Sequence, residues 1–122
     1  DLLAFLGWRV DHLRREVEIA SRMPAIVKTD FAHRITHGGR SVTPHRECWG
    51  ARTADGVWSF ERVEEPGTPW LIYHLPSLAD GSYLGVVASE TTLDGCRRAV
   101  ASGWAEQELG RRKAEEAARQ AS

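Results

Sequence analysis

Between Cys48 and Ala88, four runs of β-forming residues are separated by residues that favour turns. Ala54-Asp55-Gly56 predicts the first turn, because glycine takes a positive φ without steric cost. Proline and glycine at 66–69 and 76–82 predict two more turns. These turns, spaced along the stretch 48–88, predict a short antiparallel β-meander of three or four strands. The expected strands are Trp49–Thr53, Val57–Val63, Trp70–Leu75 and Tyr83–Ala88.

An apolar stripe near the start of the chain predicts an α-helix over residues 1–23. Its members recur at alternating intervals of three and four residues, which places them on one helical face. Asp1 suits the N-cap, and Pro24 ends the pattern. The stripe indicates a helix packed on the core, and its spacing also fits a heptad seam of a homodimer. Its residues are Leu3, Leu6, Val10, Leu13, Val17 and Ala20, widened by Phe5 and Trp8.

A second helix is predicted over residues 91–120, after the last strand. Thr91 or Thr92 provides its N-cap, and Asp94 in the first turn counters the helix dipole. Beyond Leu109 the sequence is rich in alanine and charge, which predicts a solvent-exposed helix. The residues expected on its buried side are Leu93, Cys96, Val100 and Trp104.

Residues 25–46 fit two structures. Val27, Phe31 and Ile35 follow a helical spacing, yet the alternation around them is also that of a strand. Gly38-Gly39 stops either element. The position of Pro24 before this stretch favours the helix slightly, because proline suits a first helical turn.

Together these elements predict a single α+β domain of 122 residues, with the first and last helices packed on the antiparallel sheet. A hydrophobic content of 42% is enough for one core. No run of about 18 apolar residues is present, so no membrane span is expected. Cys48 and Cys96 do not make a disulfide framework and indicate reduced thiols in a cytoplasmic protein.

The meander concentrates aromatic residues. It holds Trp49, Trp58, Phe60, Trp70, Tyr73 and Tyr83. Strand alternation cannot direct all of these side chains to one face, so some aromatic surface is expected to be exposed. Exposed Trp and Tyr side chains are common anchors of protein interfaces. The leading hypothesis is therefore a non-enzymatic binding or regulatory module that acts through a protein partner. Its candidate contacts are Trp58, Phe60, Trp70 and Tyr73.

Charge supports an alternative hypothesis, a nucleic-acid-binding module. The net charge is −1, but residues 1–46 carry eight basic against five acidic side chains. Attraction to phosphate would therefore start from the N-terminal half. The candidate contacts are Arg52 and Arg62 on the sheet and Arg14 and Arg15 on the first helix.

A third hypothesis is a zinc-stabilised domain. His33 and His37 are four residues apart, so both imidazoles would lie on one side of a helix. His45 and Cys48 form a second pair, and three imidazoles with one thiolate suit tetrahedral Zn²⁺. No spacing predicts a catalytic triad, and no glycine-rich phosphate loop is present, so no catalytic residue is assigned.

Two family resemblances follow from short motifs. Trp49-Gly50-Ala51-Arg52, then Gly56–Arg62, then Tyr83–Val86 leading into Thr92-Leu93 resemble the strands-then-helix DNA-binding domains of plant ethylene-response factors and phage integrase arms. That resemblance implies a sheet whose arginines read bases in the major groove. Pro66–Trp70, with Leu84-Gly85 and Arg97-Arg98-Ala99, resembles small uncharacterised proteins of actinobacteria and their phages. Fourteen of the sixteen basic residues are Arg, which fits such a high-GC source.

Overall fold

The computed structural model describes residues 1–29, 35–37, 40–42, 48–63 and 67–121. Within these ranges the chain forms four helices and seven strands. In order they are α1 Leu2–Ser21, β1 Ile26–Thr29, β2 Ile35–His37, β3 Arg40–Val42, β4 Cys48–Thr53, β5 Trp58–Val63, β6 Trp70–His74, α2 Leu75–Asp80, β7 Ala88–Glu90, α3 Leu93–Ala101 and α4 Trp104–Ala121. The predicted α+β class is confirmed.

The main sheet is antiparallel throughout and has five strands in the order β1-β4-β5-β6-β7. The predicted meander forms β4, β5 and β6, and β1 and β7 pair at its two sides. The sheet is therefore wider than the three or four strands expected. β2 and β3 pair with each other as a separate two-stranded sheet.

The core is centred on a row of side chains that crosses four strands. Ala51 pairs with Phe60, Phe60 with Ile72, and Ile72 with Ala88. Paired residues of an antiparallel sheet point to the same side, and all four of these are buried. The helices cover this face with small or slender side chains, which leave room for the large ones of the sheet. These side chains are Cys96, Ala99, Ala105 and Leu109.

Helix α1 begins where the sequence predicts. The Asp1 carboxylate accepts a hydrogen bond from the Leu3 backbone N–H at 2.8 Å, which caps the helix. Its predicted packing on the core is wrong for most of its length, since Ile19 is its only buried residue. The apolar stripe lies on the outside of the domain.

The slight preference for a helix within residues 25–46 is also wrong for the described part of that stretch. Residues 26–29, 35–37 and 40–42 are β-strands. β1 pairs with β4 from Ile26 opposite Thr53 to Thr29 opposite Gly50, so the sheet supplies its backbone partners. Three of its four residues are β-branched, which suits a strand.

Residues 76–82 were predicted to be a turn, but α2 occupies most of them. Pro76 fits the first turn of a helix as well as a β-turn. The His74 Nδ1 accepts a hydrogen bond from the Ser77 backbone N–H at 3.3 Å and so caps the helix. Gly81 ends it with a φ of 75°.

The last strand lies later in the chain than predicted. Residues 83–87 connect α2 to β7, and the Tyr83 hydroxyl donates to the Val86 carbonyl at 3.0 Å within this connection. The strand itself is Ala88–Glu90.

The single helix expected over residues 91–120 is two helices. Thr92 caps α3, accepting from the Gly95 N–H at 2.9 Å, as predicted. The break falls at Ser102 and Gly103, and Gly103 has a φ of 82°. Cys96 is fully buried as expected, but Trp104 follows the break and is 43% exposed.

Candidate protein-binding surface

The largest apolar feature on the outside of the described residues is the face of α1. We define the α1 stripe as Leu3, Leu6, Val10, Leu13 and Val17. These side chains are 77%, 48%, 47%, 52% and 68% exposed, respectively. An extended row of exposed apolar side chains is uncommon on a protein that works alone and marks an interaction site.

The α1 stripe faces away from the rest of the domain. Ile19, the buried residue of α1, lies about 160° around the helix from the middle of the stripe, at 3.6 residues per turn. Glu16 lies about 100° from it on the same helix and forms an ion pair with Arg98 of α3. The C-terminal half of α1 is therefore attached by one side, and the stripe occupies the other.

Helix α3 also contacts the segment that follows α1. The Arg97 Nε donates to the Pro24 carbonyl at 3.1 Å. Arg97 and Arg98 are consecutive, so α3 holds both the end of α1 and the turn into β1. This places α1 on α3, with its first turns extending beyond the contact.

The electrostatics of this attachment keep both groups charged. The hydrogen bond from Arg98 lowers the pKa of the Glu16 carboxyl group, and the same bond raises the pKa of Arg98. Both side chains are partly exposed, so the pair contributes orientation more than stability.

A second exposed row lies on the other side of α1, since Phe5 is about 120° and Trp8 about 180° around the helix from the middle of the stripe. The Phe5 and Trp8 rings lie 6.3 Å apart, and the Trp8 ring stacks on His12 at 5.3 Å with 13° between planes. Phe5 and Trp8 are 53% and 60% exposed. These rings form a separate apolar surface on the side of α1 that carries Ile19.

The four aromatic residues predicted to contact a partner lie elsewhere. Trp58, Phe60 and Trp70 share the core face of the sheet, and Tyr73 lies on the opposite face. All four side chains are at most 8% exposed. The expectation that they form an exposed surface is wrong. The small residues of α3 and α4 allow the sheet to bury the rings of Trp58, Phe60 and Trp70 on its core face.

Burial explains the state of Tyr73. Desolvation, together with the charge of Glu61, raises the pKa of its hydroxyl to about 12. The hydroxyl is therefore protonated at neutral pH. Ser59, its partner across the strand pair, is buried as well.

The arginines proposed for nucleic-acid contact do not form one surface. The register places Arg52 and Arg62 on opposite faces of the sheet. Arg52 is exposed, whereas the half-buried Arg62 lies over the Trp70 ring at 5.0 Å. Arg14 and Arg15 are exposed on α1. The core face cannot enter a DNA groove because α3 and α4 cover it.

Arg62 also lines a groove beside the sheet. The groove has a volume of about 440 Å³, and its other lining residues are Ile26, Lys28, Gly50, Ala51, Trp70 and Leu93. The Nε of Arg62 is buried and makes no hydrogen bond with the described part of the chain.

The predicted metal ligands are only partly within the described residues. His37 lies in β2 and Cys48 in β4, whereas His33 and His45 lie outside the described ranges. Within those ranges no group of three or more metal-binding side chains comes together. Cys96 is free and buried. Desolvation and the charge of Glu90 raise the pKa of its thiol to about 12.

The residues that attach α1 were not singled out from the sequence. Ile19 carries a signal for this role, because it is a large apolar residue outside the stripe, as Phe5 and Trp8 are nearer the start of the helix. An apolar residue two positions after Val17 points to the other side of the helix. Two apolar sides on one helix indicate two contacts.

Comparison with protein-family models, with curated proteins and with solved structures found no match to this chain. In the part of the chain that the structure describes, no helix is long and apolar enough to cross a membrane.

Proposed function

We propose that this chain is a non-enzymatic binding or regulatory module that acts through a protein partner, and that the α1 stripe is its docking surface. The observation that carries the proposal is the exposure of five successive seam positions on the side of α1 opposite Ile19. A reducing, cytoplasmic setting fits a buried free thiol such as Cys96.

The spacing of the stripe defines the chemistry of the partner. Residues at alternating intervals of three and four pack against a second amphipathic helix with the same spacing. A second copy of this chain has that spacing and is one candidate for the partner.

The stripe is large enough to support such a contact. Burying the exposed fractions of its five side chains releases roughly 6 kcal/mol of apolar transfer free energy for one helix. Association costs about 4–15 kcal/mol in lost freedom. One stripe alone is marginal against that cost, so the partner must bury a comparable apolar face.

The experiment compares two single substitutions in the first turns of α1. Leu6→Glu places a charge in the stripe, and Ala4→Glu places the same charge on an exposed position outside it. Both positions lie in the first two turns of α1, where a negative charge does not oppose the helix dipole. Affinity-tagged wild-type protein and both variants are incubated with lysate of the native host, and retained proteins are quantified by mass spectrometry.

We expect one specific protein, or the untagged chain itself, to be retained by the wild type and by Ala4→Glu and lost with Leu6→Glu. Equal retention by both variants would contradict the proposal, as would retention of nothing above background together with a monomeric wild type.

A further inference from the structure

The α1 stripe has a heptad register that suits a two-stranded coil. Leu3, Val10 and Val17 occupy one seam position, and Leu6, Leu13 and Ala20 occupy the other. In parallel coiled coils, β-branched residues at the first position with leucine at the second favour two strands over three or four, so the pattern bears on the number of helices and not on their direction. The sizes and charges of the side chains in and beside this seam indicate which helix packs on the α1 stripe and in which direction.

Side-chain sizes favour an antiparallel pair of identical helices. In a parallel pair each residue faces its own copy, so the two Ala20 side chains form an underfilled layer. In an antiparallel pair centred between Asp11 and His12, every layer joins residues of unequal size or shape. The layers are Leu3 with Ala20 of the second copy, Leu6 with its Val17, and Val10 with its Leu13.

Charges beside the seam favour the same direction. Arg9 and Glu16 flank the seam on one side and Arg14 on the other. In a parallel pair Arg9 faces Arg14 of the second copy, which is repulsive and occurs twice. In an antiparallel pair Arg9 faces Glu16 of the second copy, which is attractive and occurs twice.

We infer that the α1 stripe binds the α1 stripe of a second copy in antiparallel orientation, with two Arg9–Glu16 pairs between the copies. The inference rests on the proposed function, since it names the partner of that same surface. Both Arg9 and Glu16 are accessible, and the carboxylate that pairs with Arg98 has further acceptor sites for a second cation.

The attachment of the domain is compatible with this arrangement. Ile19 lies about 160° from the middle of the stripe, so each domain lies on the outer side of its own helix, and the two domains lie at opposite ends of an antiparallel pair.

Two charge reversals distinguish the orientations, measured by light scattering and sedimentation over a concentration series. Arg9→Glu places a carboxylate opposite Glu16 in an antiparallel pair and opposite Arg14 in a parallel one. We expect it to raise the dimer dissociation constant about fivefold or more. Arg14→Glu faces Gly7 in the antiparallel pair, so we expect a change of less than about twofold. In a parallel pair both variants would instead bind more tightly than the wild type.

Cysteine cross-linking gives an independent readout in a Cys48→Ser background. Leu6→Cys and Val17→Cys lie in one layer only when the helices are antiparallel. We expect mild oxidation to link the two variants when they are mixed, and neither variant to link to itself. Self-linking of Leu6→Cys would establish the parallel pair and overturn the inference. The buried Cys96 is retained in every variant.

The outcomes separate this inference from the proposed function. A wild type that stays monomeric to high micromolar concentration overturns the inference. If that monomer still captures another protein through Leu6, the proposed function stands. If it captures nothing, both fail. A dimer whose dissociation constant is unchanged by Leu6→Glu also overturns the inference, because its interface lies elsewhere.

Discussion

Gly103 allows a test of the break between α3 and α4. Its φ of 82° lies in the left-handed region, which side chains with a Cβ rarely adopt. A Cβ built at this position meets no atom within 4 Å, so the cost of Gly103→Ala is conformational and not steric. We expect the substitution to lower the free energy of unfolding by about 1–2 kcal/mol.

Gly110 is the matched control, since it lies within α4 and a Cβ there also meets nothing within 4 Å. Its backbone is helical, and alanine is favoured over glycine by about 1 kcal/mol in a helix interior. The same chemical change is therefore expected to destabilise the protein at Gly103 and to stabilise it at Gly110. The two variants should differ by roughly 2 kcal/mol, which is more than a tenfold change in the unfolding equilibrium.

Urea unfolding followed by circular dichroism measures the free energy of unfolding of both variants at one fixed protein concentration. The slope of the unfolding free energy against urea concentration should be the same for the wild type and the two variants, so that differences between their midpoints report differences in stability. If Gly103→Ala is as stable as Gly110→Ala, α3 and α4 join into one continuous helix without penalty. The role assigned to the positive φ would then be wrong.

Two further substitutions test the core and the cap of α2. Phe60→Ala removes a fully buried ring and should lower the free energy of unfolding by about 3–5 kcal/mol. Val27→Ala changes a side chain that is 55% exposed and should lower it by less than about 1 kcal/mol. Similar losses for the two variants in urea unfolding would contradict the assigned core. Burial and, secondarily, the charge of Lys113 lower the pKa of His74 from 6.5. The folded chain therefore binds a proton less readily than the unfolded chain, and the stability contributed by the neutral cap is lost as pH falls below about 6.5 towards the folded pKa. His74→Asn retains an acceptor for the cap but does not titrate. Its free energy of unfolding should therefore fall less than that of the wild type as the pH is lowered below about 6.5. Parallel curves of unfolding free energy against pH would refute the role assigned to the neutral His74 cap.

The strands of the meander were predictable because their turns are local. Ala54-Asp55-Gly56 connects β4 to β5, and Gly56 has the positive φ that the turn requires. Proline was a weaker signal, since Pro76 suits a turn and a helical first turn equally. The environment of β6 and its pairing decided that α2 forms there.

The break between the last two helices was not predictable from composition. Gly95 and Gly110 lie inside helices, whereas Gly103 ends one. The three residues are chemically identical, and only the packing of α3 and α4 selects which one takes a positive φ.

Exposure was the property that local patterns predicted least well. Alternation correctly placed Trp58 and Phe60 on one face, but it contains no information on what covers that face. Likewise, the spacing of the α1 stripe is the same for a helix on a core and for a helix at an interface. Ile19 is the residue that distinguishes the two, because it provides a separate contact with the domain.

The one-sided attachment of α1 has a consequence for the lifetime of the protein. The part of α1 before Glu16 contains no buried residue, and isolated helices shorter than about 12–15 residues are marginal in water. We expect this part to unwind repeatedly in unpaired molecules, presenting Leu3, Leu6 and Trp8 to chaperones and proteases. Unpaired copies would then be removed faster than paired ones, so that quality control keeps the amount of unpaired chain low.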